Sequence, residues 1–506
     1  MDAYEDERLL RQNRVRNNID GDQGGVRADL LVGKLNRRIL PLHIFLALLC
    51  YLDRANLAFA ALQMNSDLGI THEIYGYGSG LFFIGYALFQ LPSNLILAKT
   101  GAPFWLSCIM FIWGILASAM AFVRSTTAFL ALRFLLGCAE AGTFPGIWFH
   151  LSLFYPPAYV GEAYTRAATV TAVSTIVGGP LAALLMQLDG SLGMRGWQWL
   201  FLLEGLPCVG FAFVVWKYLP LDIKSSTFLS KNEKKVLNSI LGHQPDGQRL
   251  PDEGDSNSEG HERRNCDDMR KRQALEVERD TPHAAPPEDL RSVLTRVLCC
   301  RKLYHLGLMW GFAECTLYGV IFWLPLIIRD ALGEDSGGSP QSSGHGEGIQ
   351  GAGLVAFFSA IPFFAAVVSM LWVARRSVVM DERRKHCYVS LYAGAVCMMA
   401  ASCVDNKFLT FIMLTGAAAG VWAIHGPFMS WPSMCFVGTE KAPGIALINS
   451  MGAIGGFFGP SLIGVLSEGS TYSTAYAVLG LLLFASATLA LIFQEPEQDV
   501  GRPQRP

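Results

Sequence analysis

The chain has 506 residues, 51% hydrophobic and only 16% charged, with a mean hydropathy of +0.32. Soluble domains carry about 25% charged residues, so this deficit and the long apolar runs exclude a soluble globular chain and place it in a membrane. A net charge of −2 argues against a nucleic-acid partner, and the 12 cysteines, most of them inside apolar segments, read as buried reduced thiols rather than a disulfide framework.

Residues 1–40 carry bases from Arg8 to Arg38 mixed with acids and have no early apolar core. They read as a cytosolic tail, not a signal peptide. Six apolar runs follow, near 41–62, 79–98, 103–123, 127–154, 166–188 and 198–219, and make an N-terminal half of 41–219. Each is near the roughly 20 residues that a helix needs to span a bilayer. A polar stretch, 220–302, reads as a cytosolic, largely disordered linker with a short helix near Lys231–Leu241. Six more runs, near 303–328, 351–374, 386–404, 407–430, 441–466 and 471–493, make a C-terminal half of 303–493, and 494–506 form a second cytosolic tail. The expectation is an all-α membrane protein of twelve spans in two pseudo-symmetric six-helix halves. Arg375, Arg376, Arg383, Arg384 and Lys385 crowd the loop after span eight, while 329–350 holds one base. Positive loops stay inside, which puts both termini and the linker in the cytosol and 329–350 outside. Gly178-Gly179-Pro180 in span five is echoed by Gly455-Gly456-Phe457-Phe458-Gly459-Pro460 in span eleven, as repeated halves would require.

Charges inside the spans are the functional signal, because a charged side chain at mid-bilayer costs roughly 2.5–3.5 kcal/mol on insertion scales. Span one contains Tyr51-Leu52-Asp53-Arg54-Ala55-Asn56. On a helix Tyr51 and Arg54 share a face, while Asp53 points about 100° away from Arg54. A guanidinium grips a carboxylate through two parallel hydrogen bonds, so Arg54 is the expected anion site and Asp53 a proton carrier. Span four contains Arg133 and Glu140, seven residues and roughly 10 Å apart on one stripe. Glu140 reads as a second proton-coupling carboxylate and Arg133 as its electrostatic or gating partner. Tyr86 in span two and Asn449 in span eleven are further substrate contacts; Glu314 in span seven and His425 in span ten are weaker candidates for tuning specificity. The bland alternatives are structural: an interhelical Asp–Arg pair, a snorkelling Arg133, a hydrogen-bonded Glu140 or His425, a packing Tyr86 and an Asn449 that joins helices. No G-x-x-x-x-G-K-[ST], H-E-x-x-H or G-x-S-x-G motif occurs, which leaves transport driven by an ion gradient rather than ATP, and no enzyme.

Several stretches resemble the anion:cation symporter family of the major facilitator superfamily: Asp53-Arg54-Ala55-Asn56, Arg133 with Gly137, Glu140 and Ala141, Gly196-Trp197-Gln198-Trp199-Leu200-Phe201 with Glu204-Gly205, and Gly444 to Asn449 with Gly455 to Pro460. The likeness covers nearly all of 40–493 outside the linker and the 329–350 loop. The loop after span two, Ala98-Lys99-Thr100-Gly101, departs from the superfamily pattern in lacking its aspartate. The resemblance implies that Arg54 binds substrate carboxylate, that Asp53 and Glu140 take protons, and that Tyr51, Tyr86 and Asn449 line the site. It leans toward tartrate, other organic-acid and allantoate-type permeases. The expectation is a proton-coupled symporter of a small organic anion in the plasma membrane, with an organellar membrane as the alternative, acting as a monomer in lipid, with no cofactor or metal and with sodium left open as coupling ion. The alternatives are a uniporter, exchanger or sodium-coupled carrier and, from another class, a nutrient sensor on the same fold.

Overall fold

A computed structural model describes residues 24–241, 290–332, 347–380, 382–436, 440–467 and 471–494. Most of the expected linker, the core of the 329–350 loop and the C-terminal tail from 495 lie outside the described residues.

Among the described residues, ten helical stretches are long and apolar enough to cross a membrane. The fifth span and the ninth, which opens on Arg383, Arg384 and Lys385, complete the twelve. In order the spans are Leu40–Leu68, His72–Thr100, Ala102–Met120, Thr126–Phe154, Pro157–Met186, Gly196–Tyr218, Arg301–Leu332, Glu347–Val379, Arg383–Ser402, the pair Lys407–Ala423 and His425–Cys435, Lys441–Leu466 and Ser473–Ile492. Several helices outrun the apolar windows that announce them. Span two starts at His72, seven residues early, because Thr71 caps it by accepting a hydrogen bond from the Ile74 amide at 3.3 Å.

Spans four and ten are each broken next to a glycine and shortly before a proline. Pro145 and Pro427 have no amide hydrogen for the carbonyl four residues back and clash with it. Those carbonyls belong to Ala141 and Ala423, where the two helices stop and restart. The two halves thus carry matching breaks at mid-span, and Glu140 and His425 flank them.

Small residues set the packing. A Cβ on Gly137 would collide with the Phe82 carbonyl of span two, and one on Gly459 with the Cys315 carbonyl of span seven. Both helices approach to backbone contact there. Gly137→Val should cost about 1–3 kcal/mol of stability by overpacking. A melting temperature in detergent equal to the wild type's would refute the close approach.

Contacts between halves gather toward the bundle end that carries the Gly69–Thr71 turn. Tyr75 donates to the Phe322 carbonyl at 2.8 Å, Ser461 to the Gly76 carbonyl at 3.4 Å, and Phe83 packs on Tyr318 with ring centroids 4.2 Å apart. Ser450 donates to Gln90 at 3.0 Å, nearer the opposite end, marked by Pro156 and Pro220.

Two short helices flank that opposite end. Gly24–Arg38, inside the expected tail, buries Ala28, Leu31, Val32 and Leu35, the spacing of one helix face. Tyr155 donates to its Asn36 at 2.9 Å. Lys231–Ile240 starts in a reciprocal capping box between Ser230 and Glu233 and is tied to the first helix by Lys34–Glu233. The Lys34 ammonium holds the Glu233 carboxyl below the usual carboxylate range.

Candidate substrate and proton site

Arg54 lies in the middle of span one and is 6% exposed; Glu140 ends the first piece of span four and is fully buried. Arg54 Nε donates to Glu140 Oε2 at 2.9 Å, and Nη2 lies 2.9 Å from the same oxygen. Cys50, one turn back, donates its thiol to that oxygen at 3.2 Å. Glu140 Oε1 has no hydrogen-bond partner. Four aromatic rings box the guanidinium: Tyr51, Phe82, Tyr86 and Phe144 have centroids 5.1–5.8 Å from its carbon. A cation held this way is desolvated on its faces and free to bond only at its edge, where Glu140 sits.

Asp53 is buried and turns away from Arg54 toward Trp113, whose ring nitrogen lies near it without hydrogen-bond geometry. It stays within electrostatic reach of Glu140, Arg133 and Arg54. One turn on, Asn56 donates to Glu204 of span six, a third buried carboxylate.

The sequence expected Arg133 to partner Glu140. In this structure Arg54 does so directly, and Arg133 acts on Glu140 only at longer range. Arg133, 1% exposed, instead donates to the Gly78 and Ser79 carbonyls at 3.2 and 3.5 Å and lies over Phe82 and Phe322. Its ring contact with Phe322 crosses to the other half.

Across the interface, span seven supplies Glu314, 7% exposed, with its Oε1 3.9 Å from His425 Nε2. Trp310 meets the His425 ring edge-on at 5.1 Å. Glu314 and Tyr318 are both coupled electrostatically to Arg54. Spans one and seven are equivalent in the two halves, as are four and ten. The halves therefore face each other with inverted pairs: cation and anion on one side, anion and imidazole on the other. Tyr51 and Tyr86 are brought to Arg54. Asn449 is half-buried on span eleven, and among the described residues no hydrogen bond or ring contact joins it to that group. Among the described residues no group of three or more His, Cys, Asp and Glu forms a metal site.

The sequence reading missed Cys50, Phe82, Phe144, Gln90 and Tyr318, and passed Glu204 as motif text. Glu204 carried the same signal as Glu140, an acid within an apolar run. Trp197 of that motif is structural: its ring nitrogen donates to Asp67 at 2.8 Å.

A family model described as Major Facilitator Superfamily matches residues 44–436. A protein of Agrobacterium vitis named "Putative tartrate transporter" is 35% identical over 474 residues, covering 92% of this chain and 95% of that one. The "Quinolone resistance transporter" of Acinetobacter baumannii is 31% identical, covering 91% and 94%. The partially occluded, inward-open structure of the xylose transporter XylE from E. coli superposes with a TM-score of 0.63 at 12% identity, over 89% of this chain and 95% of that one, which bears on the fold alone. Twelve spans in two halves, a family match across most of the length and full-length transporter relatives above 30% identity together make this chain a member of the Major Facilitator Superfamily of membrane transporters.

Proposed function

We propose that the protein carries a small organic anion, a carboxylate, inward together with protons, as a member of the anion:cation symporter branch. The observation that carries this reading is the buried pairing of Arg54 with Glu140 at the break in span four. One guanidinium edge serves either Glu140 or a substrate carboxylate. Protonation of Glu140 ends its claim on Arg54, so proton uptake favours substrate binding, and by linkage substrate binding favours proton uptake. Asp53 is a second proton carrier near the pair. Tyr51 and Tyr86 wall the anion; Glu314, His425 and Asn449 tune which anion fits from the other half. Arg133, against Phe322, steadies the closed end. The relative named for tartrate, a dicarboxylate, supports the substrate class.

The bases Arg375, Arg376, Arg383, Arg384 and Lys385 lie at the Pro156 end, which supports a cytosolic placement of that end and of both termini. The interhalf contacts then close the external side, so this conformation faces the cytosol, and substrate release follows from deprotonation of Glu140 and its recapture of Arg54. One chain holds both halves of the site, which supports a functional monomer, and plasma membrane is the proposed location.

The test is uptake of labelled L-tartrate and a panel of competing carboxylates into proteoliposomes after an external pH drop, with and without sodium. Accumulation of up to about tenfold per pH unit for each coupled proton, independent of sodium, is expected. Accumulation that follows sodium and ignores pH, or mere equilibration, would replace symport with the proton by one of the other carrier modes.

A further inference from the structure

The mechanism uses Glu140 but leaves a line of buried polar groups below it unexplained. On span one, His43, Cys50 and Arg54 recur at helical spacing along one stripe with Ala47. Facing them on span four lie Glu140 and His150, with the buried Thr143 between them in sequence. Cys50 meets Glu140 at one level, and the His43 and His150 rings stack with centroids 4.9 Å apart at another. Seven residues separate Cys50 from His43, about 10 Å along the helix.

All of these groups are sealed from solvent: His43 is 1% exposed, and Glu140, Thr143 and His150 are fully buried. Buried polar atoms are nearly always bonded, yet here Glu140 Oε1, Thr143 Oγ1 and Nδ1 of His150 have no partner, and His43 lies near the Ile39 backbone without hydrogen-bond geometry at either ring nitrogen. Burying them unsatisfied costs stability at every step, with no packing gain that leucine or phenylalanine would not supply better. The bottom of the line is anchored. His150 Nε2 lies 2.7 Å from the Pro220 carbonyl, which only accepts, so Nε2 carries hydrogen and the neutral ring offers Nδ1 as an acceptor. Pro220 is where the chain leaves span six. The titratable side chain acting on His43 is His150; those acting near Glu140 are Arg54, Cys50, Asp53 and Arg133.

We propose that this column is the path by which the transported proton leaves Glu140 toward the Pro156 end, with His43 and His150 as its relay. The step balances as follows. The Glu140 carboxyl gives its proton, through water bridging the roughly 10 Å between the Cys50 and His43 levels, to the His43 imidazole, which becomes imidazolium. His43 passes a proton to His150 Nδ1, and His150 releases its Nε2 proton, held here by the Pro220 carbonyl, to water admitted when that contact opens. The carboxylate left behind pairs again with Arg54. The inference rests on the proton coupling proposed above, and the two fail differently.

The experiment compares two fluxes of purified full-length protein in liposomes, using L-tartrate or whichever carboxylate the wild type accumulates. Net uptake is followed by an entrapped pH dye, and counterflow by labelled carboxylate exchange, which needs no net proton movement. H43Q and H150Q should each lower proton-linked net flux at least about tenfold relative to counterflow, the scale of a lost acid–base relay. An unchanged ratio, or a parallel fall of both fluxes in monodisperse variants, overturns the relay and leaves the pair as packing. If the variants do not fold, the wild type decides: a solvent deuterium effect on net flux larger than on counterflow supports the path, and equal effects overturn it. A wild type that moves carboxylate without protons overturns the coupling itself, and this inference with it.

Discussion

Arg54→Ala is expected to abolish carboxylate binding while leaving a folded protein. The guanidinium is the only cation whose edge meets a carboxylate inside the Tyr51, Phe82, Tyr86 and Phe144 box among the described residues. Two charge-assisted hydrogen bonds at about 1.5–3 kcal/mol each amount to a loss of at least a hundredfold in affinity. The fold is expected to survive because the surrounding helices are held by backbone-close packing at Gly137 and Gly459, which the pair does not supply. Arg54→Lys sharpens the reading. Lysine restores the charge but not the planar fork, and its strongly hydrated ammonium is a poor fit between four rings. It should recover stability without recovering tight binding. Equilibrium binding of labelled L-tartrate and of the carboxylate panel, with thermal stability measured in parallel, separates the two effects. Carboxylate affinity in Arg54→Ala within about threefold of wild type would remove Arg54 from the site, since even one lost charge-assisted bond exceeds that.

The sequence disclosed the components of this site more readily than their partners. A charge in an apolar run is expensive, so Arg54, Asp53, Arg133 and Glu140 stood out one by one, and helical spacing correctly turned Asp53 away from Arg54. Which of two buried arginines meets Glu140 depends on how spans one, two and four rotate against each other. Arg133 shares a helix with Glu140 and is close in sequence, yet two turns of rise separate them, while Arg54 arrives from 86 residues away at the right height. Gly137 decides that height by letting spans two and four touch. Apolar windows located the spans but shortened their ends, since helices such as His72–Thr100 continue as long as caps and packing allow. The prolines at 145 and 427 were visible in the text, but Pro92, Pro180, Pro207, Pro325, Pro362 and Pro460 lie inside unbroken helices, so the breaks beside Glu140 and His425 did not follow from proline alone. The histidines at 43 and 150 drew no reading from the sequence, because only the packing of two helices brings them into one stack.

Glu140→Gln should separate substrate binding from proton coupling. In the wild type, Glu140 as a carboxylate competes with substrate for Arg54, so affinity should rise as pH falls, by up to about tenfold per pH unit where one linked proton is taken up. Glutamine has the shape of the protonated acid and no charge, so Arg54 is released at every pH. The variant should therefore bind carboxylate with the affinity that the wild type reaches only at low pH, and should hold it unchanged across the range. Exchange should continue, because swapping one anion for another never requires Arg54 to find a resident partner. Net accumulation should cease: with no carboxylate to recapture Arg54 at the cytosolic side, nothing displaces the substrate, and no proton is carried. Reciprocity makes this a strict test, since a group whose protonation favours substrate must have its proton uptake favoured by substrate to the same degree. Binding isotherms at several pH values and the two fluxes in liposomes measure both sides. Should Glu140→Gln keep the wild-type slope of affinity against pH, the linked proton resides elsewhere, and Asp53, buried near the pair, and Glu204, buried within electrostatic reach of Asp53, become the next carboxylates to neutralise.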